Sequence, residues 1–251
     1  MTKMQAQWFE SWFDSPWYPI LYSHRDAAEA GGFILKLLDT LRPRKDAHFL
    51  DLACGRGRHS RLIHAHGFEV TGMDLSAASI AAAKAHEEQG LNFMVHDMRI
   101  PFPGRYDHVL NLFTSFGYFE RPEENLLVLR NVADSLRDDG RFVLDFFNLR
   151  TVLAQMVPSQ TIGKQGIVFS IRKEYVEGYI LKSIDFDVHQ VHHHFEERVQ
   201  GLDLGAFTDL FFAAGLEIER LWGDYGGGDF EPDRSPRLVI FGKKVPSNGR
   251  I

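Results

Sequence analysis

The stretch FLDLACGRGRHS, Phe49 to Ser60, decides how this chain is read. An apolar run leads into Asp51, small residues stand at Ala53, Gly55 and Gly57, and a helix-compatible segment starts at Ser60. This is the pattern of a strand that ends in a tight turn and passes into a helix. Small residues in such a turn let the backbone approach a ligand closely.

The surroundings agree. Upstream, Phe33, Leu37, Leu38 and Leu41 recur at helical spacing, predicting a helix over 25–41 that stops before Pro43. Residues 8–23 are rich in aromatics and broken by Pro16 and Pro19, so they read as a loop or short helix. Downstream, strands are predicted over 47–53, 68–75, 91–96, 107–113 and 141–147. Helices alternate with them over 60–66, 76–90 and 123–137, with Ser76 as a cap and Gly90 as a stop. Alternation of this kind defines an α/β fold with a doubly wound, Rossmann-like parallel sheet. The rhythm then changes. Strands over 167–176, 179–188 and 189–199, with turn chemistry at Glu177-Gly178, form a small antiparallel β insertion. A helix over 204–214 and strands over 216–221 and 237–243 complete a seven-stranded sheet. The connection YGGGDFEPDRSP, 225–236, contains no helix, so the last strand is expected to run antiparallel to its neighbour. The expected organisation is an N-terminal aromatic segment and helix (1–46), a cofactor-binding domain (47–157 and 200–245) and a β cap inserted between its halves (158–199).

Composition narrows the function classes. Hydrophobic residues make up 44% of the 251, enough for a full core. A net charge of −6 gives no bulk attraction to nucleic acid or to anionic membrane. Cys54 is the single cysteine, which excludes an internal disulfide and fits a reducing compartment. No apolar stretch approaches a membrane span, and the N-terminus lacks the basic start and apolar run of a signal peptide. A cytoplasmic protein with no nucleic-acid or membrane partner is expected. A homodimer is left open.

The ligand of the turn follows from its acids. A dinucleotide fingerprint, G-x-G-x-x-G, would need a third glycine where Ser60 stands, and no Lys-Ser/Thr follows to make a phosphate loop. Asp51 at the strand end would repel a pyrophosphate and attract a cation. Asp74 closes the second strand, where an acid accepts from ribose hydroxyls. Asp97 closes the third and can accept from an adenine amino group. The ligand implied has an amine, a ribose and an adenine and needs no phosphates, a description that S-adenosylmethionine fits. The rival readings are an NAD-dependent oxidoreductase and a non-catalytic S-adenosylmethionine-binding protein.

FLDLACGRGRHS, GMDLS, VHDMR, DHVLNLFTSFGYF and LRDDGRFVLDFFN resemble, in order, the motifs of class I S-adenosylmethionine-dependent methyltransferases. The match spans about 47–148 and resumes over 201–243. The FTSFGYF segment and the stranded insertion are similar to a small-molecule branch that includes amino-sugar N-methyltransferases, and WFDSPWYPILYSHRD resembles the N-terminal segment of other members. Ala53 departs from the family's commonest glycine. The resemblance implies that Asp51, Ala53, Cys54 and Gly55 surround the methionine part of the cofactor, and that Asp74 and Leu75 take the ribose, with Ser76 a further cofactor contact. It further implies that Asp97 and Met98 flank the adenine, and that Asn111 and Leu112 offer backbone near the amine, with Phe113 a further cofactor contact. Tyr22 and Arg25 from the N-terminal segment, with Arg58 and His59 after the turn, complete the expected set. A cation at a helix start opposes the macrodipole, so Arg58 or Arg25 is expected to meet the cofactor's carboxylate.

The reaction implied moves a methyl group to an N or O atom of a small molecule. Candidates for a general base are Tyr118, His194 and Tyr225. Residues 113–119, dense in aromatics, read as pocket lining that can hold a sulfonium. Cys54 reads as a packed thiol rather than a nucleophile. His189, His192, His193 and His194 lack a second ligand group, so no metal is expected and substrate contact is favoured. The loop over 225–236 is a candidate lid. No Asp/Asn-Pro-Pro-Tyr/Phe run follows the fourth strand. The insertion holds near-balanced charge, which argues against a nucleic-acid clamp.

Overall fold

A computed structural model of the protein describes residues 8–23 and 27–245. Three helices open it: α1 (Trp8–Phe13), α2 (Tyr18–Leu21) and α3 (Ala27–Leu41). The alternating part follows as β1 (His48–Leu52), α4 (Arg58–His64), β2 (Glu69–Asp74), α5 (Ala77–Lys84), β3 (Leu91–Val95), β4 (Tyr106–Asn111), α6 (Pro122–Ser135) and β5 (Leu136–Phe147). Next come α7 (Leu149–Ala154) and four strands, β6 (Ser159–Lys164), β7 (Ile167–Val176), β8 (Tyr179–Val188) and β9 (Val191–Gln200). The chain then returns through α8 (Leu204–Ala214), β10 (Leu216–Trp222) and β11 (Arg237–Lys244).

The large sheet has the order β3-β2-β1-β4-β5-β11-β10. β1 to β5 pair in parallel, and β11 runs antiparallel to both β5 and β10. The long connection without a helix therefore reverses the last strand, as its length and composition imply. The strand order changes direction between β1 and β4, the crevice where open α/β sheets hold ligands. Register brings the acids to that edge: Asp51 lies opposite Gly72 and Leu110, and Asp74 opposite Val95.

Both faces of the sheet are covered. α6 and α8 pack on one, where Leu50, Leu144, Val128 and Phe207 are buried. α3, α4 and α5 lie on the other, over Phe49, Val70, Phe93 and Leu110. Two glycines make the packing under the turn possible. A Cβ on Gly72 would lie 2.5 Å from the Phe93 ring and 2.9 Å from Cys54 Sγ. One on Gly57, at φ 76°, would also meet Phe93 at 2.5 Å.

The four strands β6-β7-β8-β9 form a separate antiparallel sheet. Its inner face, with Phe169, Ile171, Ile184 and Phe186, is buried against Trp12 and Leu21 of α1 and α2. The aromatic N-terminal segment is thus two short helices, and its rings are the packing partner of the cap.

Some boundaries differ from the sequence reading. α7 and β6 are additional elements. α5 stops at Lys84 rather than near Gly90, because Glu87 turns back to accept from Phe93 N at 2.8 Å and Glu88 bridges Leu91. β5 begins at Leu136, five residues before the expected start, with a bulge that sets residues 136–141 against Tyr106 and His108. No helix among the described residues is long and apolar enough to cross a membrane.

Candidate cofactor and acceptor site

A cavity of about 660 Å³ opens at the carboxyl ends of β1 to β4, beneath α1, α2 and the cap sheet. That volume lies within the roughly 300–1,000 Å³ typical of small-ligand pockets. A second cleft, of about 470 Å³, lies at the opposite ends of the strands around Ala47, Asp107 and Arg141, away from the acids described below.

The turn after β1 builds the cavity floor. Ala53 takes φ 60° and Gly55 φ 56°, left-handed values that turn the chain sharply out of the strand. Asp51 is 1% exposed. Ser60 Oγ donates to it at 2.5 Å, and Arg58 acts on it at longer range. Burial dominates, and pushes its carboxyl up from 3.8 to about 6. Asp74 accepts from Gly55 N and Ser76 N, each at 2.8 Å, so the second acid pins the first turn in place. Burial raises its pKa too, against these hydrogen bonds. Asp97 is different. Burial opposes its charge, but Arg99 outweighs that with contacts of 2.6–3.1 Å and holds Asp97 below the usual carboxylate range. Arg99 continues to Glu124 at 3.0 Å. A carboxylate has about four lone-pair sites, so Asp74, which accepts from two donors, keeps capacity for more, whereas both oxygens of Asp97 are engaged by Arg99.

Beyond the floor the wall is aromatic. Trp8 and Phe13 pack on Tyr118 with centroids 5.2 and 5.6 Å apart, and Phe9 meets Phe119 at 6.2 Å. On the side of α4, His59 stacks on Phe113 at 4.9 Å, and the Arg58 guanidinium lies 4.9 Å from the same ring.

Most of the expected residues meet here. Tyr22, Asp51, Ala53, Cys54, Gly55, Arg58, His59, Asp74, Leu75, Asp97, Met98, Leu112, Phe113 and Tyr118 line the cavity. Arg25 lies outside the described residues. Ser76 caps α5, accepting from Ser79 N at 2.9 Å and donating to Asp14, and is off the wall. Asn111 is also behind it, fully buried, with its amide nitrogen donating to Leu52 O and Ser115 O. Cys54 is a packed thiol raised by burial and by Asp51 and Asp74.

Two of the three base candidates are displaced from the cavity. Along β9, residues 193, 195, 197 and 199 face inward, so His194 falls on the outer face. There it pairs with Asp185 at 2.7 Å, which raises its pKa. His193 is the inward one, stacked on Phe186 at 5.1 Å and beside Trp17. Tyr225 packs between Phe33 and Phe113 and donates to Asp145 at 3.1 Å. Tyr118 alone of the three lines the cavity, with its hydroxyl donated to Thr114 O. Among the described residues no group of three or more His, Cys, Asp or Glu is arranged to hold a metal.

One structural node escaped the sequence reading. Asp145, 0% exposed at the end of β5, pairs with Arg237 at 2.7 Å and accepts from Phe113 N at 2.8 Å. Thr114 N donates to the Asp145 carbonyl at 3.0 Å, and Arg237 also donates to Thr114 Oγ1 at 2.9 Å. Phe113 and Thr114 sit at φ 58° and 61°, and this node holds them there. Its only local signal was an acid inside the apolar run FVLDFF.

The residues at this edge fit S-adenosylmethionine. A buried carboxyl raised to about 6 suits a cationic ligand, and acids at three successive strand ends suit an amine, two hydroxyls and an adenine. Comparison with known proteins agrees. Residues 49–140 match the family described as a methyltransferase domain. These residues carry a methyltransferase domain, and the fold is that of S-adenosylmethionine-dependent methyltransferases, whose cofactor the residues at this edge fit. Among relatives, the chain is 25% identical over 218 residues to YqeM of Bacillus subtilis, a provisionally named methyltransferase, covering 82% of this chain and 87% of that one. Among solved structures, an S-adenosylmethionine-dependent methyltransferase from Clostridium acetobutylicum superposes with a TM-score of 0.77 at 16% identity, over 91% of this chain and 96% of that one. The sugar N-methyltransferase KedS8 of Streptoalloteichus gives 0.70 at 21%, over 90% and 92%.

Proposed function

We propose that the protein transfers the methyl group of S-adenosylmethionine to a nitrogen or oxygen atom of a small molecule by in-line displacement. The observation that carries this reading is the single cavity in which three acids on the floor face an aromatic wall under a roof of α1, α2 and cap strands. A roofed cavity of this size admits a small acceptor and leaves little passage for a folded polymer. The name of KedS8, a sugar N-methyltransferase, supports the same class of acceptor.

When bound, S-adenosylmethionine would supply an activated methyl group with a neutral thioether as leaving group, so the chain would need no acid there. The chain supplies alignment and dryness. Asp51 would hold the cofactor's amine, Arg58 its carboxylate, Asp74 the ribose, and Asp97 with Met98 the adenine. Trp8, Phe13 and Tyr118 exclude water around the reacting atoms and offer their faces to positive charge. A neutral amine needs no base, whereas a hydroxyl acceptor needs one within hydrogen-bond reach.

Calorimetry with S-adenosylhomocysteine and with NAD tests the cofactor. Binding of NAD alone would overturn the reading. A screen of amines and alcohols with labelled methyl donor tests transfer. Firm cofactor binding without any product across the screen would favour a binding protein instead.

A further inference from the structure

The inner face of the cap sheet is built of cross-strand rows, and all but one are apolar or aromatic around the cavity's upper end. Ile171, Ile184 and Phe195 form one row; beside it Phe186 pairs with His193 and packs on Phe169 with ring centroids 4.7 Å apart. On the other side Ile180 pairs with Val199. Between them lies a charged row, Lys173, Lys182 and Glu197, and all three of its members reach the cavity wall.

The charges in this row do not balance. Glu197 accepts from Trp12 Nε1 at 2.7 Å and from the Tyr22 hydroxyl at 2.5 Å, and its second oxygen meets Lys182 Nζ at 3.3 Å. Lys182 also bonds the Tyr22 hydroxyl. Glu197 and Lys182 therefore neutralise each other. Lys173 stands directly opposite Lys182, and like charges in that position repel. Among the described residues its ammonium has neither an ion pair nor a hydrogen bond. Half-buried among mostly apolar rows, Lys173 offers its positive charge to an anion entering the cavity.

We infer that the methyl acceptor carries an anionic oxygen group, a carboxylate or a phosphate ester, and that Lys173 seats it at the cap end of the cavity. The inference rests on the small-molecule reading above and adds the chemical class of the acceptor. The cofactor's own carboxylate belongs to the opposite end, by Arg58 and the turn after β1. Lys173 thereby fixes which end of the acceptor points at the cap and which at the methyl group.

The experiment uses the full chain loaded with S-adenosylhomocysteine, as wild type, Lys173→Glu and Arg172→Glu. Arg172 is the adjacent residue on β7 and faces outward, so its variant controls for net charge and folding. Each protein is titrated with benzoate and its neutral partner benzamide, and with phenyl phosphate and phenol. Expected for wild type is roughly tenfold or greater preference for at least one anion over its neutral partner, the worth of one charged hydrogen bond. Preference for benzoate alone assigns a carboxylate; for phenyl phosphate alone, a phosphate ester. The preference should vanish in Lys173→Glu and persist in Arg172→Glu, with S-adenosylhomocysteine affinity alike in all three. The inference falls if wild type shows no preference, if Lys173→Glu retains it, if Arg172→Glu loses it too, or if Lys173→Glu loses the cofactor. Failure of wild type to bind S-adenosylhomocysteine would instead sink the methyl-transfer reading.

Discussion

Asp51 should make the protein less stable than it could be, and the substitution Asp51→Asn measures by how much. The carboxyl is buried, and its folded-state pKa is about 6 against 3.8 when unconstrained. A group raised on folding binds its proton more tightly in the folded state, so ionisation opposes folding. The cost is fully present above the folded pKa and disappears as pH falls below the unfolded one. At pH 8 it amounts to about 3 kcal/mol, and by pH 5 it falls to about half of that. Asparagine keeps the shape, accepts from the Ser60 backbone and can donate to Ser60 Oγ, but carries no charge. Urea unfolding of the ligand-free protein across pH 5 to 8 should therefore find Asp51→Asn more stable, with a gap that widens as pH rises. The same variant should bind S-adenosylhomocysteine at least roughly tenfold more weakly, since a charged hydrogen bond to the amine is lost. A variant less stable at every pH, or a gap that does not change with pH, would refute the reasoning.

Three further outcomes are expected. Arg58→Ala should weaken S-adenosylhomocysteine binding roughly tenfold by calorimetry through loss of a charge-assisted contact, and unchanged affinity would remove Arg58 from the site. Arg237→Met leaves Asp145 buried without its cation and should lower stability by about 3–5 kcal/mol in urea unfolding. Ala53→Gly relieves a left-handed backbone at φ 60° and should raise the thermal midpoint by an amount corresponding to about 1 kcal/mol or less.

Much of the large sheet was legible because its signals are local. The runs around Leu50, Val70 and Val109 are apolar over strand length and bounded by turn residues, and the helix-free 225–236 connection dictated an antiparallel last strand. β6 was not legible: in SQTIGK only Ile162 is apolar, and the strand is a half-exposed edge. α7 is six residues, too short for a helical period to show. The floor of the site was legible for the same reason as the sheet, since Asp51, Asp74 and Asp97 each lie within two residues of a strand end. What remained hidden depends on separation. Asp145 and Arg237 are 92 residues apart, and Trp12 meets Glu197 across 185. The histidine run shows the opposite failure, a conspicuous local cluster in which strand alternation sends His194 outward and His193 inward.

The cap and the N-terminal helices share one hydrophobic cluster, although most of the large sheet separates them in the sequence. This bears on any attempt to exchange acceptor preference between related proteins. Transplanting residues 158–199 by themselves would set Phe169, Ile184 and Phe186 against a foreign Trp12 and Leu21, and would separate Lys182 and Glu197 from Tyr22. The transferable unit is two distant segments moved together, so recombination by a single crossover would divide it.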